Sequence, residues 1–180
     1  MGSDPSAGDL PDGRRGRGRA AVLLALALVA SLAAAAGCGG SGHGAETNPE
    51  KGSDAAILNT ALGRELTLLG VYTHGRRFLR GRERAVGRRL RAQEREYVDA
   101  LTKALRGLGG DADGEAEEVE LSGVKGEAGF LALAAEMESA AVDFYVGQAA
   151  KLYTTAPRTL DAWLAAGHGQ HVGLLPPGGG

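Results

Sequence analysis

Residues 89–108 read RLRAQEREYVDALTKALRGL. Leu90, Glu94, Tyr97, Leu101, Leu105 and Leu108 recur there at steps of three and four, which is one face of an amphipathic helix. That face is apolar except for Glu94, with Tyr97 one turn further on. A carboxylate in a core-facing stripe is costly unless something pairs with it. Either this helix register is wrong, or Glu94 has a partner: a cation, a histidine or a metal ion.

The same pattern appears three more times. Residues 55–72, AAILNTALGRELTLLGVY, follow a cap at Ser53 or Asp54 and place Ile57, Ala61, Glu65, Leu68 and Tyr72 on one stripe. Residues 129–153 place Leu131, Ala134, Glu138, Ala141, Tyr145, Ala149 and Leu152 on another, and Glu136 points elsewhere. In residues 160–175 the stripe is Leu164, His168, His171 and Leu175. Gly167, Gly169 and Gly173 weaken this last helix by roughly 1 kcal/mol each relative to Ala. His74 lies nine residues after Glu65, on the opposite face, and reads as an exposed helix-end residue. Trp163 and Phe144 read as core or near-core packing.

Punctuation separates the four helices. The second is expected from near Arg84 to Leu108, where Gly109 and Gly110 stop it. Pro157 breaks the chain before the fourth, and Pro176 and Pro177 end that helix. Residues 111–129 carry Asp111, Asp113, Glu115, Glu117, Glu118 and Glu120 without helical periodicity. Such a segment is long enough to cross the length of a bundle. It lacks the ligand spacing of a calcium-binding loop. The eight arginines between Arg76 and Arg91 read as a solvated hairpin connection, with an anionic lipid or acidic partner as the sharper alternative.

The N-terminal part is of another kind. Arg14, Arg15, Arg17 and Arg19 precede the apolar run 20–36, and Ala35-Ala36-Gly37-Cys38 follows as a bacterial lipobox would. Cys38 is the sole cysteine, so an internal disulfide is ruled out. The expected product is lipidated on Cys38 and held on the outer face of a bacterial cell membrane. Twin-arginine and general export both stay open. The division is 1–37 extension and lipoprotein signal peptide, 38–53 flexible tether containing a solvated His43, 54–175 folded domain, and 176–180 disordered tail. Removing residues 1–37 leaves 16 basic and 19 acidic groups, which gives no footing for nucleic acid. No phosphate-binding glycine loop or nucleophile–base–acid set is present.

The two halves of the folded part echo each other. Glu65 to Glu94 is 29 residues and Glu138 to His168 is 30; Glu65 to Tyr97 is 32 and Glu138 to His171 is 33. Tyr72 and Tyr145 each follow a glutamate by seven residues. Two helix pairs, each with one polar core residue on its first helix and a polar i, i+3 pair on its second, can meet at one level of a four-helix bundle. This arrangement resembles the ferritin-like superfamily. The stretches AILNTALGRELTLLGVY, RAQEREYVDAL and FLALAAEMESAAVDFYVG are similar to the first three helices of its bacterial, desiccation-related branch.

The resemblance implies an all-α, ferritin-like four-helix bundle with a long crossover between helices two and three. It also implies a core site of Glu65, Glu94, Glu138, His168 and His171, with Tyr97 as a further ligand or redox neighbour. The family's two Glu-x-x-His motifs stand here as Glu94-x-x-Tyr97 and His168-x-x-His171. The cofactor is then one or two ions of iron, manganese or zinc, or none if the site has lost its ligands. Two readings follow: a lipid-anchored metal binder or oxidoreductase, and a metal-free structural or binding module of the cell envelope. An iron-storage cage fits less well with an anchor and tether. Homo-oligomerisation through the basic hairpin and the acidic crossover is open.

Overall fold

A computed structural model of the chain describes residues 49–176. Cys38, His43, the leader and most of the expected tether lie outside the described residues. The order is α1 (Pro49–Gly75), α2 (Gly81–Leu108), α3 (Gly126–Ala149) and α4 (Thr155–Leu174). Among the described residues there are four helices and no strands, so the expected all-α bundle is found. The helices α1 and α2 pack as one hairpin and α3 and α4 as the other; α2 then faces α4 and α1 faces α3.

The helix ends follow local chemistry. Gly109 has φ 80°, and the amides of Gly109 and Gly110 donate to the carbonyls of Arg106 and Leu105. This left-handed turn satisfies the last carbonyls of α2, and glycine adopts it without strain. At the other end α2 begins at Gly81, a few residues ahead of the expected Arg84. There Glu127 of α3 accepts a hydrogen bond from the amide of Arg80 at 2.6 Å. Pro157 lies inside the first turn of α4 and not ahead of it, because a first-turn residue has no intrahelical partner for an N–H.

Asp54 differs from the expectation most clearly. The helix α1 begins at Pro49, inside the stretch read as tether, so Asp54 is a buried residue of that helix. Its carboxylate reaches across to the start of α4, accepting from the amides of Tyr153 (2.8 Å) and Thr154 (2.9 Å) and from the Thr154 hydroxyl (2.6 Å). Burial opposes ionisation there, but these hydrogen bonds and nearby Arg158 outweigh it and hold the carboxyl below its ordinary range. One side chain thus caps a helix from the other hairpin.

The crossover, residues 109–125, lies along α1. Asn59 donates to the carbonyl of Asp111 and accepts from the amide of Asp113. Thr67 accepts from the amide of Glu117. The backbone of the crossover comes so close that a Cβ at Gly63 would stand 2.5 Å from the Glu115 carbonyl oxygen. Its six carboxylates are exposed.

Leucines fill both ends of the interior: Leu58, Leu62, Leu101, Leu105 and Leu164 towards one, Leu68, Leu79, Leu90, Leu131 and Leu175 with Phe130 towards the other. Leu58, and not Ile57, is the buried residue of its turn, and Ala149 is exposed. Trp163 is 46% exposed, so its assignment to the core is corrected; Phe144 is half-buried. Between the two apolar layers lies a polar one.

Candidate metal centre

Each helix brings two polar or aromatic side chains to the middle layer. The first, α1, supplies Glu65 and Tyr72, and α2 supplies Glu94 and Tyr97. From the other hairpin α3 gives Glu138 and Tyr145, and α4 gives His168 and His171. Glu65, Glu94, Glu138, His168 and His171 are all 0% exposed. Water cannot screen these groups, so whatever compensates their charge lies within the layer itself.

His168 bridges two carboxylates. Its Nδ1 is 2.6 Å from Glu138 Oε2 and its Nε2 is 3.0 Å from Glu65 Oε1. His171 Nδ1 is 3.1 Å from the same Glu138 oxygen and 3.2 Å from Glu94 Oε1. The approach to Glu94 is close enough for attraction but wrongly angled for a hydrogen bond, so both oxygens of Glu94 stay unpartnered. Glu65 Oε2 and His171 Nε2 are likewise buried without a partner.

The two tyrosines of the echo cross over. Tyr72 of α1 donates to Glu138 Oε1 of α3 at 2.7 Å, and Tyr145 of α3 donates to Glu65 Oε1 of α1. Each half of the pseudo-repeat thereby orients the other's glutamate. Burial first, and then the neighbouring carboxylates, push both phenols above their ordinary range, so each keeps its proton to donate.

Glu138 and Glu94 differ in character. Burial raises Glu138, but hydrogen bonds from His168 and His171 and the charge of those rings prevail, and the group falls to about 2. Burial also opposes charge on His168, yet Glu138 and Glu65 raise it to about 9. Glu94 has no such support. Burial, then the Glu65 carboxylate, then Glu138, lift it well above the usual carboxylate range. Glu94 is the free arm of the centre.

Tyr97 lies in the layer but does not join the hydrogen bonds. Its ring stacks on His171 at 5.7 Å between centroids, meets His168 at 5.3 Å, and is met edge-on by Trp163 at 4.9 Å. Its hydroxyl lies against α4, where a Cβ at Gly167 would come within 2.0 Å of it. Gly167 weakens α4 as a helix but makes room for this phenol.

Glu94, Glu138, His168 and His171 can each offer a ligand atom such that all four lie within 4.8 Å of one another. Glu94 and His171, which carry buried unpartnered atoms, are both members of this set. The residues present therefore fit a cation. The five residues expected from the sequence meet at one point, with Glu65 joined to the four through His168.

Residues 53–176 match the family model described as "Ferritin-like domain". The chain belongs to the ferritin-like domain family. Among solved structures, it is similar to "ferritin like, diiron-carboxylate proteins from Bacillus anthracis str. Ames", at 20% identity and TM-score 0.59, covering 69% of this chain and 94% of that one. A second neighbour in fold is a conserved hypothetical protein, rv2844, from Mycobacterium tuberculosis, at 20% identity and TM-score 0.56, covering 73% of this chain and 98% of that one. At that identity the likeness speaks for the fold alone. No curated protein matches the chain.

Asp161 escaped the sequence reading. It lies seven residues before His168, on the buried face of α4, 2% exposed and with Oδ2 unpartnered. Burial pushes its carboxyl up to about 6. The folded chain thus holds this proton to about pH 6, while the unfolded chain releases it near 3.8, so stability falls as pH rises through that window. Asp161→Asn should raise stability at pH 7.5 by on the order of 1–2 kcal/mol, with the advantage shrinking below pH 6 and gone near pH 4. Thermal melts across that range check it; an advantage independent of pH would contradict it.

Proposed function

We propose that this ferritin-like domain binds a divalent metal through Glu94, Glu138, His168 and His171, with Glu65 completing the charge around it. The observation that carries this reading is that Glu94, with both oxygens buried and unpartnered, stands with Glu138, His168 and His171 so that one ligand atom of each lies within 4.8 Å of the others. Iron or manganese held there supplies one-electron redox chemistry, whereas zinc supplies a redox-inert positive charge. Tyr72 and Tyr145 orient Glu138 and Glu65 through hydrogen bonds. Glu94 is free to turn towards a ligand, and the leucine layers on either side keep bulk water out.

A metal-free reading has one observation in its favour. His168 already uses both ring nitrogens on carboxylates, as a self-contained polar core would. That arrangement does nothing for Glu94, whose two buried oxygens remain without a donor. Without a donor, Glu94 keeps its proton against Glu65 and Glu138; a bound cation would let it ionise and would supply the missing partner, and this weighs the reading towards metal.

The chain purified without chelators should carry iron, manganese or zinc in near-stoichiometric amount by elemental analysis. Glu138→Ala with His171→Ala should lose it, and chelation should lower the melting temperature of the unaltered chain. Metal-free protein whose melting ignores both chelator and added metal would contradict the proposal. Oxygen or peroxide uptake after loading with iron(II) separates an oxidoreductase from a passive binder.

We further propose that the domain is exported and lipid-anchored through Cys38. The arginines at 14, 15, 17 and 19, the apolar run 20–36 and the Ala-Ala-Gly-Cys ending support it. No helix among the described residues is long and apolar enough to cross a membrane. Bacteria expressing the chain and fed labelled palmitate should label the unaltered protein and not Cys38→Ser. An unlabelled wild-type protein would overturn the anchor.

A further inference from the structure

We propose that the centre of this chain holds one metal ion and not two, and that Tyr97 and His168 set that number. The inference rests on the metal-binding reading above. It parts from the diiron centre named for the Bacillus anthracis neighbour.

Donor count comes first. A two-ion carboxylate centre in this fold draws on six side chains: one Glu from each of two helices and a Glu-x-x-His from each of the other two. Here Tyr97 replaces one histidine and His168 replaces one glutamate. Tyr97 contributes no ligand atom, because its hydroxyl is turned onto Gly167 and its ring fills the space beside both histidines. Five donors remain, of which three are carboxylates.

Spacing points the same way. Glu138 Oε2 is 3.1 Å from His171 Nδ1, and Glu94 Oε1 is 3.2 Å from that nitrogen. An ion with bonds of about 2.0 Å to tetrahedral ligands sets neighbouring donors roughly 3.3 Å apart. These side chains are already near the separation one ion needs. A second ion, about 3.5–4 Å from the first, would need further donors. Glu138 Oε1 is engaged by Tyr72, and Glu65 Oε1 by Tyr145 and His168. Glu65 Oε2, the second oxygen of Glu94 and the far nitrogen of His171, whose ring already serves the first ion, are what is left.

Charge decides between the two counts. With both histidines neutral, as ligands are, three carboxylates around one dication leave a net −1, while two dications leave a net +1. The tyrosine hydroxyls donated to Glu65 and Glu138 stabilise negative charge on the carboxylates. The orphaned acceptors that could stabilise a surplus positive charge are the same few atoms just counted.

The test loads the full chain anaerobically with excess manganese(II), removes unbound metal, and measures metal and protein together. One manganese per chain is expected, with the electron paramagnetic resonance signal of an isolated ion. Two per chain, or the signal of a coupled pair, would overturn the single-ion inference and leave metal binding intact. No retained metal would overturn the metal-binding reading itself, and this inference with it. Tyr97→His combined with His168→Glu restores the six-donor set and should raise the count to two. A folded double variant that still holds one ion would show that these positions do not set the number. If that variant does not fold, the unaltered chain still decides.

Discussion

Three carboxylates and two imidazoles, all withdrawn from water, share the middle of this bundle. Burying any one of them alone would cost several kcal/mol, a large fraction of what a domain of this size has to spare. The fold is stable only if that cost is met inside the layer. His168 between Glu65 and Glu138 meets part of it, and the tyrosine hydroxyls meet more. Glu94 is the remainder. Its position, facing His171 without a proper hydrogen bond, is what makes a bound cation the most economical completion of the structure.

The surrounding elements serve to hold this layer in register. The crosswise Tyr72–Glu138 and Tyr145–Glu65 hydrogen bonds tie α1 to α3, a packed helix pair joined by no short loop. Asp54 links the same two hairpins at one end by capping α4 from α1. At the other end Glu127 of α3 receives the amide that precedes α2. The crossover is fastened to α1 at Asn59 and Thr67, on either side of Glu65 in the chain. A ligand set drawn from four helices depends on such cross-links, because a shift of one helix by a turn moves its donor about 5 Å.

Much of this was legible in the chain. A lone Glu inside an otherwise apolar helical stripe is conspicuous, and Glu65, Glu94 and Glu138 each announced themselves that way. The matched spacings in the two halves then pointed to a shared level in the bundle. What stayed hidden depends on which helices face one another. The seven-residue step from Glu65 to Tyr72 and from Glu138 to Tyr145 was visible, but not that each tyrosine serves the other's glutamate. Ser53-Asp54 ahead of an apolar run looks like a local cap, yet Asp54 caps a helix about 100 residues later. Asp161 carried no signal beyond its place on the α4 stripe. The acidic crossover has no periodicity, so its path along α1 could not be read. Trp163 was misplaced because a large aromatic near a core stripe is usually buried, whereas here it covers Tyr97 from outside.

The difference between this chain and a two-ion carboxylate protein comes down to two positions. A phenol stands where an imidazole would bind, and an imidazole stands where a carboxylate would. Gly167 shows that the first change is built into the packing, since any larger residue there would collide with the Tyr97 hydroxyl. The most direct measurement is anomalous X-ray diffraction from crystals of the metal-loaded protein, collected at the absorption edge of the bound element. One anomalous peak within bonding distance of Glu94, Glu138, His168 and His171 is the predicted result. Two peaks would contradict the single-ion assignment. A well-ordered centre in which added metal leaves no peak, and Glu94 is satisfied by water or by a neighbouring side chain, would contradict the account at its root.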